Sequence, residues 1–128
     1  MGMKASSGCT DVYKEVQSGR ITWAIYKIND QLTEIVPDCT GDGNYEQFLR
    51  TFPSNDVRFA VYNFGEVNGR ANTVVFYYWE PDSARVKSKM LYASSREQFR
   101  GLLEGVAANI YANTVEEASR EAVLARVN

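Results

Sequence analysis

The sequence predicts an α/β (α+β) three-layer sandwich, a mixed and mostly antiparallel five-stranded sheet flanked by helices on both faces. Segments with apolar residues at helical spacing alternate along the chain with extended segments rich in β-branched and aromatic residues. Those extended segments are apolar at nearly every position, so neither face can be left to water and both need cover. Short turn signals join neighbouring strands and make them antiparallel. With 128 residues, 45% of them hydrophobic, and no repeat, linker or low-complexity run, residues 1–128 are expected to form one domain.

A short helix is expected to start between Ser7 and Thr10, to carry Val12 and Val16 on one face and to end by Gly19. Ile21 to Ile28 reads as a buried strand. Asn29-Asp30 turns the chain into a second strand around Leu32 to Val36, which Pro37 should stop because it has no N–H for the ladder. After the Gly41-Asp42-Gly43 loop, Tyr45, Phe48, Leu49 and Phe52 stand at i, i+3, i+4 and i+7, a helix with one buried stripe that Pro53 ends. Val57 to Phe64 and Thr73 to Trp79 are two more strands, with Asn68-Gly69 as the hairpin signal between them. Asp82 or Ser83 is placed to cap a helix through Ala93; another helix follows from Arg96 to Glu104, and Gly105 suits a left-handed C-terminal cap. Val106 to Tyr111 fits either a continuation of that helix or a fifth, edge strand. Thr114 and Glu117 form a capping-box pattern that opens a last helix.

The composition excludes several function classes. The 14 Lys+Arg and 16 Asp+Glu give a net charge of −2, so no whole-molecule basic field draws in nucleic acid. There is no histidine, which removes the Ser-His-Asp and Cys-His arrangements, His-ligated zinc and an imidazole base. Gly41-Asp42-Gly43 lacks the following G-K-[ST] of a phosphate loop, and the carboxylates are scattered rather than paired. No catalytic constellation, metal site or cofactor site can be assembled, so an enzyme is not expected. Cys9 opens a helix, where a thiolate can be favoured, yet it has no base partner and reads as a small packed residue. Cys9 and Cys39 together read as two thiols in a reducing compartment, which implies the cytoplasm. No stretch is long and apolar enough for a membrane span.

The segment from Trp79 to Arg96 carries the most information. If it is helical from Ser83, then Lys87, Met90 and Ser94 stand at i, i+3 and i+7 and put a cation, a thioether and a hydroxyl in one row. Val86 and Ala93 fall on an adjoining apolar stripe that can anchor the helix to the sheet. Spacing alone equally allows solvated lysines beside a buried Met90.

Trp79-Glu80-Pro81-Asp82-Ser83-Ala84-Arg85-Val86-Lys87-Ser88-Lys89-Met90-Leu91-Tyr92-Ala93-Ser94-Ser95-Arg96 resembles the long actin-binding helix signature of the actin-depolymerising factor/cofilin family. The resemblance extends to the strand Asp56 to Phe64, to Phe99–Gly105 and to Thr114–Val127. It implies a non-enzymatic protein of the actin cytoskeleton that binds monomeric and filamentous actin and promotes filament disassembly, with the helix wedged into a cleft of actin. In this sequence the implied contacts are Lys87, Lys89, Met90, Ser94, Arg96, Glu97 and Arg100, joined by Ser6, Ser7 and Gly8 near the N-terminus. Two cations flanking a pliable apolar contact suit an acidic partner, combining steering with a desolvated anchor.

The resemblance further implies a phosphorylation switch at Ser7 or its neighbour Ser6, where added negative charge would repel acidic actin. Filament-side contacts are implied at Arg70 in the hairpin and at Arg120 and Arg126 in the last helix, a thinner set than the family usually carries. Phosphoinositide headgroups are implied as competitors at Lys87, Lys89, Arg96 and Arg100, and the protein is expected to be a monomer. The front third, with Cys9, Trp23, Ile35-Val36-Pro37 and Tyr45-x-x-Phe48, looks closer to coactosin, a relative that binds filaments without depolymerising them. The match from Ser83 to Ser95 favours the cofilin branch.

Overall fold

The computed structural model describes residues 2–127. In chain order the elements are β1 (Lys4–Ala5), α1 (Ser7–Gln17), β2 (Trp23–Ile28), β3 (Glu34–Gly41), α2 (Tyr45–Arg50), β4 (Arg58–Asn63), β5 (Val74–Trp79), α3 (Val86–Gly101), β6 (Val106–Ala112) and α4 (Arg120–Val127). The strands form one sheet in the order β1-β3-β2-β4-β5-β6, antiparallel at its centre and parallel at both outer pairs.

Alternation along the central strands builds two cores. Ala24, Tyr26 and Ile28 of β2, Phe59 and Val61 of β4, and Val74, Phe76 and Tyr78 of β5 face one side, where Cys9, Tyr13 and Val16 of α1 and Tyr92 and Phe99 of α3 cover them. Trp23, Ile25, Ala60, Tyr62, Val75, Tyr77 and Trp79 face the other side, under Tyr45 and Phe48 of α2 and Val123 of α4. The three-layer reading therefore holds, with α1 and α3 on one face and α2 and α4 on the other.

Four expectations need correction. The sheet has six strands, not five, because the two-residue β1 pairs Lys4 with Glu34 and Ala5 with Ile35. Pro37 does not stop the second strand. The register against β2 passes from Cys39 to Pro37 between Ile25 and Tyr26, so proline sits at a bulge, where a strand tolerates a missing N–H. The two helices expected after Trp79 are one, α3, and it starts at Val86 instead of Ser83. Ser83 Oγ donates to Ser54 O rather than capping, while Ser94 Oγ and Ser95 Oγ bond back to Leu91 O at 2.9 and 2.8 Å and leave the helix unbroken. Finally, the Thr114/Glu117 hydrogen bonds close a turn ahead of α4, and it is Ser119 whose Oγ accepts the Ala122 N–H at the helix start. The ambiguous stretch resolves as the edge strand β6, entered through Gly105 at φ +84°.

Candidate functional site

Helix α3 rests on Tyr92, Ser95 and Phe99, at i, i+3 and i+7, which are its buried residues. Phe99 stacks on Phe59 at 4.8 Å and meets Tyr26 edge-on at 4.9 Å, and the Tyr92 hydroxyl accepts the Ile28 N–H at 2.8 Å. Val86 and Ala93, expected as the anchoring stripe, are exposed instead. With Glu97 they and Met90 fall at i, i+4, i+7 and i+11 along the outward side. Val86 is 72% and Met90 67% exposed, so the helix carries a second apolar stripe that nothing in the fold covers.

The charges flank this stripe. Lys87 is exposed on one side, next to the exposed Ser94. On the other side Lys89 is half-buried, its Nζ donating to Asp82 O at 3.0 Å. Neither lysine has an acidic partner among the described residues, whose three ion pairs join Lys27 and Arg58 to Asp38, and Arg58 to Asp56. The structure thus brings Lys87, Lys89, Met90, Ser94 and Glu97 together on one surface, and the alternative of a buried Met90 is excluded.

Arg96 and Arg100 are placed differently from free surface cations. The Arg96 guanidinium lies 4.7 Å from the Tyr78 ring centroid and 4.8 Å from that of Tyr111. Arg100 Nε donates to Asn109 Oδ1 at 2.6 Å and its Nη1 to Leu103 O at 3.0 Å, tying the end of α3 to β6. Sequence reasoning missed these partners because they come from strands whose register against α3 no local pattern reveals.

The N-terminal segment touches the same helix. The Met3 N–H donates to Ser95 Oγ at 2.9 Å, and Gly2 lies so close that a Cβ there would stand 2.7 Å from Ser94 O. Ser6 N–H then bonds to Ile35 O at 2.8 Å, and Ser7 is exposed at the start of α1, with Gly8 half-buried. It is Gly2 and Met3 that meet α3; Ser6, Ser7 and Gly8 follow a few residues on. Cys9 Sγ donates to Ile35 O at 3.3 Å, and burial pushes its thiol up from its ordinary pKa, away from a reactive thiolate.

The residues expected on the filament side stand elsewhere. Arg70 is exposed at the β4–β5 hairpin, where Asn68 and Gly69 take φ +52° and +82° as the primed turn requires. On the face opposite α3, the Arg120 guanidinium lies 6.0 Å from the Phe64 ring centroid, at the base of that hairpin, and Arg126 lines a shallow groove with Tyr111 and Glu117. Among the described residues no group of acidic and cysteine side chains could hold a metal ion, and no helix is long and apolar enough to cross a membrane.

Residues 2–128 match the family described as cofilin/tropomyosin-type actin-binding protein. The cofilin of Ogataea parapolymorpha is 37% identical over 99% of this chain and 93% of its own length. Actin-depolymerizing factor 3 of Zea mays is 34% identical, over 95% of this chain and 92% of its own. The crystal structure of Streptomyces griseoflavus cofilin superposes with a TM-score of 0.92 at 32% identity, covering 99% of this chain and 98% of that one. With the helix signature set on an exposed α3 and the match running the length of the chain, this protein belongs to the cofilin/actin-depolymerising factor family of actin-binding proteins.

Proposed function

We propose that this chain binds actin through the outward side of α3 and promotes filament disassembly. The observation that carries the reading is the uncovered Val86–Met90 stripe between Lys87 and Lys89, two cations with no acidic partner among the described residues. Burying a Met side chain that stands 67% exposed contributes on the order of 1 to 2 kcal/mol to association, and the flanking lysines steer the helix toward acidic actin. Ser94 and Glu97 lie on the same surface, Arg96 borders it, and Arg100 supports it by tying α3 to Asn109 of β6. Ser6, Ser7 and Gly8 add actin contacts beside it, a few residues on from Gly2 and Met3, which meet α3. A phosphate on Ser7, exposed at the start of α1, would suit the helix dipole while repelling actin, so release would come from the interface rather than from unfolding.

Arg70, Arg120 and Arg126 are the filament-side contacts in this reading. Anionic phosphoinositide headgroups would compete at Lys87 and Lys89, since the same cations, without acidic partners among the described residues, serve both. The protein acts as a single-domain monomer, without catalysis, in the cytoplasm with the actin cytoskeleton. The coactosin-like alternative draws on residues of the front third, which the cofilin alignment also covers, since it spans 99% of the chain.

High-speed sedimentation of actin filaments tests the proposal. Actin should move to the supernatant with the wild-type chain and stay in the pellet with Lys87→Glu/Lys89→Glu, which should fold normally because the substitutions touch no core residue. If the double variant disassembles filaments as well as wild type, the α3 assignment is wrong. If the wild-type chain pellets with filaments while actin stays put, the coactosin-like reading replaces it.

A further inference from the structure

Arg96 is a half-buried cation with no counter-ion among the described residues. Its Nε is sealed from solvent and has no hydrogen-bond partner, and no described residue accepts a hydrogen bond from its other nitrogens. The Nε–H is a donor cut off from water, and leaving it unpaired there is costly. The compensation comes from two aromatic faces. The Tyr78 and Tyr111 rings stand at 86° to each other with centroids 6.1 Å apart, and the guanidinium occupies their corner at 4.7 and 4.8 Å. Tyr78 is fixed in turn, its hydroxyl donating to Glu80 Oε1 at 2.9 Å. Tyr111 is an aromatic residue 57% exposed on the free edge of β6, where packing alone gives no reason for a large ring.

We propose that Tyr78 and Tyr111 form a clamp that presents the Arg96 fork to a carboxylate of actin, which makes Tyr111 a positioning residue of the actin-binding surface. The inference rests on the α3 reading above and extends that surface from the helix onto the edge strand. The rings neutralise part of the cost of drying the cation before actin arrives, and they fix the plane of the fork, so little side-chain freedom remains to be lost on binding. They leave its in-plane donors unused, and a bidentate carboxylate is the acceptor that matches such a fork. A lysine, a compact point charge on a flexible stem, cannot be held in the same way.

The test is a double-mutant cycle on the full chain, read as affinity for actin monomers. Tyr111→Phe, which keeps the ring, should bind within two-fold of wild type. Tyr111→Leu should weaken binding about five-fold, the scale of one cation–π contact, and Arg96→Lys by at least as much. In the Arg96→Lys background Tyr111→Leu should cost less than two-fold, because the clamp then has no fork to orient. A nitrogen-15 spectrum gives a readout independent of actin: the Arg96 Nε proton should exchange slowly in wild type and in Tyr111→Phe and quickly in Tyr111→Leu. An equal loss from Tyr111→Leu in both backgrounds, or no loss in either, overturns the clamp. Wild-type affinity in Lys87→Glu/Lys89→Glu overturns instead the α3 reading beneath it, so the two failures are distinguishable.

Discussion

Replacing Ser95 by alanine removes the side-chain hydrogen bond that ties the N-terminal segment to α3. Ser95 is fully buried and its Oγ accepts the Met3 N–H at 2.9 Å while donating to Leu91 O at 2.8 Å. Alanine fits the space, favours the helix and leaves the helical ladder intact, so α3 should persist. The Met3 amide loses its acceptor, a net cost of about 1 kcal/mol for a partly buried bond. The segment's other holds are short, the β1–β3 pairing at Lys4 and Ala5, the Ser6 N–H on Ile35 O, and the Met3 and Ala5 side chains against the core. The cost should therefore appear as local opening, and about 1 kcal/mol multiplies the open population roughly five-fold. Amide hydrogen exchange read residue by residue is the assay. Met3, Lys4 and Ala5 should exchange about five times faster in Ser95→Ala, with the amides of Leu91 to Phe99 unchanged. Faster exchange throughout α3 would mean that Ser95 serves the helix and not the segment, and unchanged exchange at Met3 would show that the hydrogen bond contributes nothing.

Phe99→Ala removes the ring that seats α3 on Phe59 and Tyr26 and should cost about 3 to 5 kcal/mol in urea unfolding; a loss under about 1 kcal/mol would refute that seating. Burial acts to raise the Asp56 carboxyl, but the Arg58 guanidinium at 2.8 Å and the Val57 amide outweigh it and hold the group below the usual carboxylate range. The stabilisation is therefore present above the unfolded value of about 3.9 and lost as pH falls through the lower folded value. Asp56→Asn should be less stable at neutral pH and should lose less stability below about pH 4, and parallel acid limbs for the two proteins would count against the pair. Actin binding should stay nearly flat from about pH 6 to 8, since the chain has no histidine and burial pushes both thiols up; a steep change, with actin's own response subtracted, would contradict this. Arg120→Glu/Arg126→Glu, on the face opposite α3, should weaken co-sedimentation with filaments and leave monomer affinity within two-fold, whereas equal losses in both would refute separate surfaces.

The strands were legible because Ile21 to Ile28, Val57 to Phe64 and Thr73 to Trp79 are apolar at almost every position, and Asn68-Gly69 was legible because few residue pairs take two positive φ values in succession. The two-residue β1 has no periodicity to read, and Pro37 misled because a bulge is a property of the pair of strands, not of one. Helix α3 was misread at Ser94 and Ser95, whose hydroxyls favour either a break or a bond back to the helix, and the packing of Ser95 decides the matter. The same buried serine hid the anchoring side: with a polar residue between Tyr92 and Phe99, Val86 and Ala93 read as the stripe that faces the sheet. The Lys87–Met90–Ser94 row was legible from spacing. The partners of Arg96 and Arg100 lie on β5 and β6, and only the fold brings them there.

A helix whose task is to cover a sheet needs one apolar side, and α3 meets that need with Tyr92 and Phe99. Val86 and Met90, on the other side, are surplus to the fold, and the two lysines beside them, without acidic partners among the described residues, would only lower the solubility cost of exposing them, not remove it. Such a stripe persists where a partner covers it. The fold keeps that partner's surface rigid from three directions: the core below through Phe99, the N-terminal segment through Ser95, and the edge strand through Arg96 and Arg100. In the proposed reading each tie fixes an element before actin arrives and so reduces the ordering cost of association. The opposite face meets these ties only at β6, whose Ile110 and Ala112 share the second core with Val123 of α4, the helix that carries Arg120 and Arg126. In the proposed reading, a thinner set of filament-side charges on that face lowers filament binding while the outward side of α3 keeps its own contacts.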